Sequence, residues 1–452
     1  MSGGASREPK PPVRGIRSPL SRRVGGGPQG SAWAAPGLGG EGSGLGGEGP
    51  TPSTPSNVWK MYLVRMLFWT HLFSSVLIPF YRDWGGLDFK RILLLNAWFM
   101  VWNFLLEVPT GAVADFWGRK ASVALACLVA GIGTVVYVWQ PSIAFFMVAE
   151  VLFAAGMTLL SGADEALVYD SLREETGDGP SLTERAKRAM ARLESFKLGG
   201  IVLGALVGSV IAARWGLSMP MRLQGLPLLA GFLVALTLRE PRTAAPGTTE
   251  SKRPYRQVIW DGVRYFMGHA VLRVLALDMI VMAALGFMII WLYQPFLDRS
   301  GIGLAWFGTV HSLMCVSQIL ILSQVAWLER LVGSQKRLLW ATAILTGVAF
   351  LALGGFGAKA PVVAAILVAA GFGLSRPVLF SAYFNQHIPS EKRATVLSTV
   401  SMFRMLGIAL VNPLVGVLAD VSLTLTALVL GGVIVLVASF SRIREEHLGA
   451  SV

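Results

Sequence analysis

The chain has 452 residues, of which 54% are hydrophobic and 14% charged, and it carries a net charge of +13. A soluble domain has about 25% charged residues, and one soluble core could not hide so many apolar runs of about 20 residues. The composition therefore excludes a soluble globular protein and indicates a polytopic membrane protein. The basic residues lie between the apolar runs without interleaved aromatic residues, so no nucleic-acid partner is expected.

Residues 1–57 precede the first apolar run and are rich in Gly, Pro and Ser. They include GLGGEGSGLGGEGP, in which the hexamer GLGGEG occurs twice. Such a segment buries too little apolar surface to offset the entropy of ordering, so it is predicted to be a disordered cytoplasmic tail.

Twelve apolar runs follow the tail, each close to the ~20 residues that a helix needs to cross a bilayer. Lipid offers no partners to backbone groups, so all twelve are predicted to be helices of an all-α membrane protein. Lys and Arg are concentrated in the loops on the side of the tail, which predicts an inner (plasma) membrane protein with both termini in the cytoplasm. The predicted spans are residues 58–80, 92–113, 121–139, 142–165, 195–213, 219–238, 271–295, 303–326, 338–357, 361–384, 394–418 and 423–441.

The loop richest in basic residues, 239–270, divides the spans into two sets of six. The predicted domains are an N-terminal bundle over 58–238 and a C-terminal bundle over 271–441, followed by a cytoplasmic segment over 442–452. This loop is therefore the predicted domain boundary.

The two halves also resemble each other in sequence. FKLGGIVL from Phe196 matches FRMLGIAL from Phe403 in spans five and eleven. The dipeptide PF after span one, at Pro79, recurs after span seven, at Pro295. Matches in corresponding spans favour a duplicated unit and hence two pseudo-symmetric six-helix bundles. Further matches pair Ser161 with Ser375 and Tyr169 with Tyr383.

The stretch EVPTGAVADFWGRK connects spans two and three. Gly111 is expected to allow close helix packing, Gly118 to allow a tight reversal, and Asp115 to face the positive N-terminus of a neighbouring helix. Arg119 and Lys120 are expected to hold the loop in the cytoplasm.

GAVADFWGRK resembles the loop motif G-x-L-x-D-R-x-G-R-K of the major facilitator superfamily, with Phe116 where that family has Arg or Lys. A weaker second copy is LERLVGSQKR, between spans eight and nine. The resemblance implies the major facilitator fold and a secondary transporter whose two bundles rock around a site at the membrane midplane.

The segments EVPTG and SGADEALVYDSL are similar to EIPTG and SGADEALLYDSL in bacterial members of that family assigned to drug efflux. That resemblance implies export. The antiporter motif of span five is half present, because Gly200, Gly204 and Gly208 keep its spacing while its Gly-Pro pair is absent.

Ionisable residues inside the spans are candidates for the functional site, since a charge at bilayer depth is costly unless it is paired or hydrated. In a continuous span four, Ser161, Asp164 and Glu165 would lie within about 60° of Glu150 at 100° per residue, forming one acidic stripe. Glu150 also stands where many superfamily members have Arg, and it is the candidate proton carrier. Asp164 and Glu165 are either part of the site or solvated residues at its mouth.

Five further residues complete the candidate set. Glu107 is expected within the membrane, paired with Arg65 or Arg404. Arg404 and its repeat counterpart Lys197 could supply counter-charges to the carboxylates. Arg65 lies close enough to the start of its span to reach the interface, and Arg376 is a candidate of similar standing.

The predicted function is proton-coupled export of a small lipophilic, often cationic, molecule. The alternative is a proton-coupled uptake symporter for a small metabolite. A polytopic enzyme or scaffold is a third class, although the chain has no HExxH, paired-aspartate or GK[ST] motif. Cys127 and Cys315 are isolated, and neither a cofactor nor a metal site is expected. The expected partners are the substrate, a proton gradient and the lipid bilayer, and the chain is expected to be a monomer.

Overall fold

The computed structural model describes residues 56–241, 264, 267–388 and 390–449. The predicted disordered tail therefore lies outside the described residues except for its last two positions, which begin the first helix. Most of the predicted central loop and residues 450–452 also lie outside them.

The described part contains eleven helical segments that are long and apolar enough to cross a membrane, and the shorter apolar helix Leu423–Ser439 takes the place of the twelfth. This confirms the all-α, twelve-span prediction. In chain order the helices are Ser56–Trp69, Phe89–Trp117, Arg119–Trp139, Ile143–Leu160, Ala163–Thr176, Pro180–Trp215, Met219–Leu223, Gly225–Leu236, Ala270–Phe287, Ile289–Arg299, Phe307–Ser323, Val325–Val332, Gln335–Gly355, Lys359–His387, Ser390–Val421 and Leu423–Ser439. Short helical turns cover Ser74–Val76, Leu77–Pro79, Phe80–Trp84, Leu304–Trp306 and Glu445–Leu448.

Spans one and four are not continuous helices. Span one stops at Trp69 and resumes in short turns that extend to Trp84. Span four ends at Leu160, and Gly162 takes a left-handed conformation with φ +75° before the next helix begins. A residue with a Cβ is strained at that φ, so glycine is the residue that permits the break.

Span five is longer than predicted. Its helix covers Pro180–Trp215, 36 residues, whereas the prediction was 195–213. The extra part begins with Pro in the first turn, where its missing N–H costs nothing. Its buried residues recur every three or four positions and pack against the helix Ala163–Thr176. They are Leu182, Ala186, Ala189 and Leu193.

We call the side of the molecule that holds Asn57 and Glu445 the near side, and the opposite side the far side. On the far side one hydrophobic core contains residues of both bundles, such as Phe80 and Phe146 with Tyr293 and Phe296. On the near side each bundle has its own core. The bundles are therefore packed together on the far side and have separate cores on the near side.

The two bundles pack alike at repeated positions. A Cβ at Gly200 in span five would lie 2.4 Å from the carbonyl oxygen of Met66 in span one. At its repeat counterpart Gly407 in span eleven, a Cβ would lie 2.9 Å from Cγ2 of Ile280 in span seven. Equivalent helices approach each other through equivalent glycines, which supports the duplicated unit read from the sequence.

Candidate functional site

The far side is closed by hydrogen bonds that cross between the bundles. Gln294 of span seven accepts from the backbone N–H of Ile78 at 2.9 Å and donates to the carbonyl of Ser74 at 3.0 Å. Both groups belong to the broken part of span one, where the regular helix is interrupted. Gln294 is 2% exposed, so these bonds are shielded from water. The C-terminal bundle thus completes the backbone of the N-terminal bundle.

A second crossing ties span two to span eleven. Asp420 accepts from the backbone N–H groups of Phe89 and Lys90, at 2.7 and 2.9 Å, at the start of the span-two helix. Deeper in the same pair of helices, Asn412 donates to Asn96 at 2.7 Å. A carboxylate at a helix N-terminus satisfies free donors and opposes the helix dipole, so Asp420 stabilises the far-side closure.

Glu150 lies within this closed region and is 8% exposed. Tyr81, at the far end of span one, donates to its Oε1 at 2.8 Å, and the Tyr81 oxygen lies 3.0 Å from that of Tyr137 on span three. The described residues provide it with no cationic partner. Through Tyr81, Glu150 of span four is therefore linked to spans one and three of the N-terminal bundle. Among the described residues it is a buried carboxyl group without a counter-charge.

The break in span four separates Glu150 from the other members of the expected acidic stripe. Fourteen residues of helix would place Asp164 about 21 Å along the axis from Glu150, and the left-handed Gly162 between them ends the common face. Asp164 is 1% exposed and forms an ion pair with Arg65, whereas Glu165 is exposed. The stripe is therefore not one surface, and the interruption at Ser161 and Gly162 is the reason.

The near half of the N-terminal bundle carries a chain of paired charges. Arg65 pairs with Asp164 and lies 3.6 Å from Glu194, which in turn pairs with Lys197 at 2.8 Å. The Lys197 ammonium also lies 4.8 Å from the centre of the Trp69 ring. Arg65 and Lys197 are thus already neutralised within their own bundle.

Three candidate residues in the near half remain outside ion pairs among the described residues: Glu107, Arg404 and the exposed Glu165. Glu107 is half-buried, and its described contact is with the Ser161 hydroxyl at 3.5 Å, so the expected pairing with Arg65 or Arg404 is not formed. Arg404 is also half-buried and lies 3.4 Å from the Ser401 hydroxyl. A carboxylate and a guanidinium are therefore available there to a ligand or to each other in another conformation.

The loop between spans two and three turns at Gly118, whose φ of +91° confirms the predicted tight reversal. Glu240, just after span six, accepts from the backbone N–H groups of Arg119 and Lys120, both at 2.8 Å. The Arg119 guanidinium forms an ion pair with Asp170 beyond the break in span four. The loop is thus held by spans four and six through polar contacts.

Two expectations about this loop are wrong for this conformation. A Cβ at Gly111 would meet nothing within 4 Å, so Gly111 does not mediate close packing. Asp115 is exposed and has no hydrogen bond or ion pair among the described residues, and the helix N-terminus beside the loop is occupied by Glu240 instead. Both residues lie at the near end of span two, where the cores of the bundles are separate.

In the C-terminal bundle, Arg376 is 3% exposed and donates to Asp278 at 2.8 Å and to Thr342 at 2.8 Å. Asp278 also accepts from the hydroxyl of Ser441 at 2.8 Å. Arg376 thus joins spans seven, nine and ten rather than standing alone in the interior.

The second copy of the loop motif shares two features with the first, a glycine at positive φ and a glutamate that accepts from a backbone N–H of the next helix. Gly333 has φ +82°, and Glu445, just after span twelve, accepts from the backbone N–H of Lys336 at 3.2 Å. Glu445 therefore corresponds to Glu240. The signal was present in the sequence, since Arg-Glu follows span six at 239–240 and span twelve at 444–445. Gln294 and Asp420, by contrast, have partners that no local pattern indicates.

The arrangement of two six-helix halves, joined on one side around broken spans, is that of a polytopic membrane transporter. The nucleoside transporter NupG has a similar structure, with a TM-score of 0.71 at 13% identity over 85% of this chain and 98% of that one. A D-xylose-proton symporter gives 0.68 at 15% identity over 88% and 100%. A bacterial homolog of the human lysosomal transporter Spinster, in an inward-facing and occupied conformation, gives 0.66 at 14% identity over 89% and 100%.

A comparison with curated proteins gives no match. The model of the Major Facilitator Superfamily matches residues 58–412. The chain therefore belongs to the Major Facilitator Superfamily, and it is a multi-pass membrane transporter rather than an enzyme.

Proposed function

We propose that this transporter lies in the inner (plasma) membrane with its near side facing the cytoplasm. It exports a small lipophilic cation in exchange for protons. The observation that carries the proposal is Glu150, a carboxyl group buried in the far-side closure whose described partner is a tyrosine hydroxyl. An ionised carboxylate at such a position costs several kcal/mol unless a cation or a proton neutralises it. Glu150 is therefore suited to carry the proton.

Protonation would change the hydrogen bonds of Glu150. An ionised carboxylate only accepts, so Tyr81 donates to it; a protonated carboxyl group also has a donor of its own. Tyr81 and Tyr137 could then reverse the direction of their shared bond. Tyr81 lies in the last turn of span one, and Gln294 of the other bundle binds the turns just before it. A proton on Glu150 therefore acts on the groups that close the far side.

The substrate would meet Glu107 and Glu165 on the near side. Neither forms an ion pair among the described residues, whereas Asp164 is neutralised by Arg65. A lipophilic cation could therefore replace a missing counter-charge at Glu107. The resemblance to exporters in EVPTG and SGADEALVYDSL also supports export.

Uptake by proton symport is the second candidate, because a D-xylose-proton symporter shares the fold over 88% of this chain. The half-buried, unpaired Arg404 would favour an anionic or hydroxyl-rich substrate in that case. The two candidates differ in whether proton and substrate cross the membrane in opposite directions or together.

The test is a measurement in proteoliposomes with a fluorescent lipophilic cation and with a neutral sugar, under an imposed proton gradient. We expect the cation to move against the proton flow. Glu150→Gln should abolish gradient-driven accumulation and retain downhill exchange of the cation. Glu184→Gln, at an exposed carboxylate paired with Lys187, is the matched control and should behave as the unmodified protein.

Normal gradient-driven transport by Glu150→Gln would show that Glu150 is a structural residue. Sugar movement in the same direction as the protons, without cation movement, would favour the uptake symporter.

A further inference from the structure

A cavity of about 220 Å³ opens at the near end of the C-terminal bundle, between spans seven, nine, ten and twelve. Its lining belongs to that bundle alone, so it is separate from the interface at which the two bundles meet. The polar and aromatic residues of the lining are Asp278, Lys336, Trp340, Arg376, Ser439 and Ser441.

Arg376 forms the buried wall of this cavity and keeps one donor free. One Nη binds Asp278, and the other binds the Leu339 carbonyl and the Thr342 hydroxyl. Its Nε is buried and has no hydrogen-bond partner among the described residues. A buried guanidinium donor without an acceptor is costly, and an anionic ligand in the cavity would supply the acceptor.

The charged residues that line the cavity favour a ligand with a single negative charge. Both oxygens of Asp278 are already occupied, by Arg376 and by the Ser441 hydroxyl, so Asp278 offers little to a cation. Lys336 is exposed and its ammonium forms no ion pair among the described residues, while Glu445 accepts from its backbone N–H. Arg376 and Lys336 against Asp278 leave one positive charge in the lining.

The surroundings of the cavity are apolar. Trp340, on its wall, is 51% exposed, and Phe440, between Ser439 and Ser441, is 75% exposed. In a membrane protein, exposed side chains of this kind near a helix end contact lipid, and tryptophan is enriched where the headgroups meet the acyl chains. A ligand here would combine an anionic head with apolar chains.

We propose that this cavity binds the phosphodiester headgroup of an anionic membrane lipid. Lys336 and the guanidinium of Arg376, which both line the cavity, supply the positive charge that the phosphate meets, and the acyl chains pass beside Trp340. The phosphodiester carries the one negative charge that the lining lacks, whereas a zwitterionic headgroup brings a cation that finds no free carboxylate among the residues that line the cavity.

The experiment measures lipid retention by the purified full chain with native mass spectrometry. The probes are phosphatidylglycerol, phosphatidylcholine and soluble glycerol phosphate at matched concentrations. We expect phosphatidylglycerol to be retained best. Lys336→Gln should weaken its binding about tenfold, the effect of losing one charge-assisted contact. Arg337→Gln removes the neighbouring exposed cation, which does not line the cavity, and should retain phosphatidylglycerol normally.

Trp340→Ala is a second variant that leaves the charges in place. It should weaken phosphatidylglycerol binding and leave glycerol phosphate binding unchanged. Equal retention of phosphatidylglycerol and phosphatidylcholine, or an equal loss in Lys336→Gln and Arg337→Gln, would overturn the proposal. Glycerol phosphate bound as tightly as the lipid would also overturn it, since the ligand would then be a soluble phosphate. The assay involves no transport, so its outcome is independent of the proposed function.

Discussion

The far and near halves of this transporter use different interactions. On the far side, both bundles share one core and are joined by the hydrogen bonds of Gln294 and Asp420 and by an exposed ion pair between Arg82 and Asp298. On the near side, each bundle has its own core and an internal buried ion pair, Arg65 with Asp164 and Arg376 with Asp278. Separating the partners of a buried ion pair strongly destabilises a protein, because it leaves an uncompensated charge in the interior. Such pairs therefore suit helices that must stay together within one bundle. Single hydrogen bonds suit an interface that must open.

The largest effect is expected where the bundles touch without a gap. A Cβ at Gly308 in span eight would lie 2.0 Å from the carbonyl oxygen of Ala205 in span five, and a backbone atom cannot move aside alone. Gly308→Val should therefore separate the far-side contact and destabilise this conformation by at least about 1–3 kcal/mol. Thermal unfolding of the purified protein would report this as a lower Tm.

Gly432→Val is the matched control, because a Cβ at Gly432 in span twelve meets nothing within 4 Å. Both substitutions place a β-branched residue in a helix, so they share any cost in helix propensity. Equal Tm values for the two variants would show that the far-side contact is not tight.

Gln294→Leu should have the next largest effect. It leaves the N–H of Ile78 and the carbonyl of Ser74 without their described partner, at about 1–3 kcal/mol for each buried group. The far side should then open more often. Maleimide labelling of Ser75→Cys, a fully buried position beside the break in span one, should be faster in a background without Cys127 and Cys315.

Gln318→Leu is the control for this change. Gln318 donates to Leu374 at 3.1 Å within the C-terminal bundle, so its loss should not open the interface. Unchanged labelling in Gln294→Leu would mean that these crossing bonds do not hold the far side closed.

Asp420→Asn should have a smaller effect of about 1 kcal/mol, typical of a helix cap, because an amide oxygen can still accept one bond while the charge is lost. The labelling assay at Ser75→Cys would detect a modest increase. Asp88→Asn changes a cap within the same helix, where Asp88 accepts from Arg91 at 2.8 Å. Equal labelling rates in the two variants would show that the contact of Asp420 across the bundles does not help to keep the far side closed.

Asp115→Asn should have the smallest effect on stability, because the side chain is exposed and lacks a described partner in this conformation. Transport should nevertheless fall sharply, since we propose that this carboxylate acts when the near side closes. Asp178→Asn, at an exposed near-side carboxylate paired with Arg173, should leave both Tm and transport unchanged. A normal transport rate in Asp115→Asn at equal abundance would contradict the role proposed for the loop motif.

The features of the candidate site that depend on one residue and its immediate neighbours in the chain could be predicted from the sequence. Gly118 and Gly333 adopt positive φ in the two loop motifs, and Arg65 and Arg376 are buried at bilayer depth. Their partners were not predictable, because an ion pair depends on which helices become neighbours. Arg65 meets Asp164 rather than Glu107, and Glu240 rather than Asp115 caps the helix of span three.

The sequence by itself determined the twelve helices and their division into two related halves. Both follow from local causes: lipid leaves the backbone no partner outside a helix, and a duplicated unit keeps its pattern of Gly and apolar residues. Only the tertiary structure decided where spans one and four break and which side of the molecule is closed. A broken helix persists when distant groups such as Gln294 satisfy its backbone, and those partners are separated from it by 216 positions in the chain.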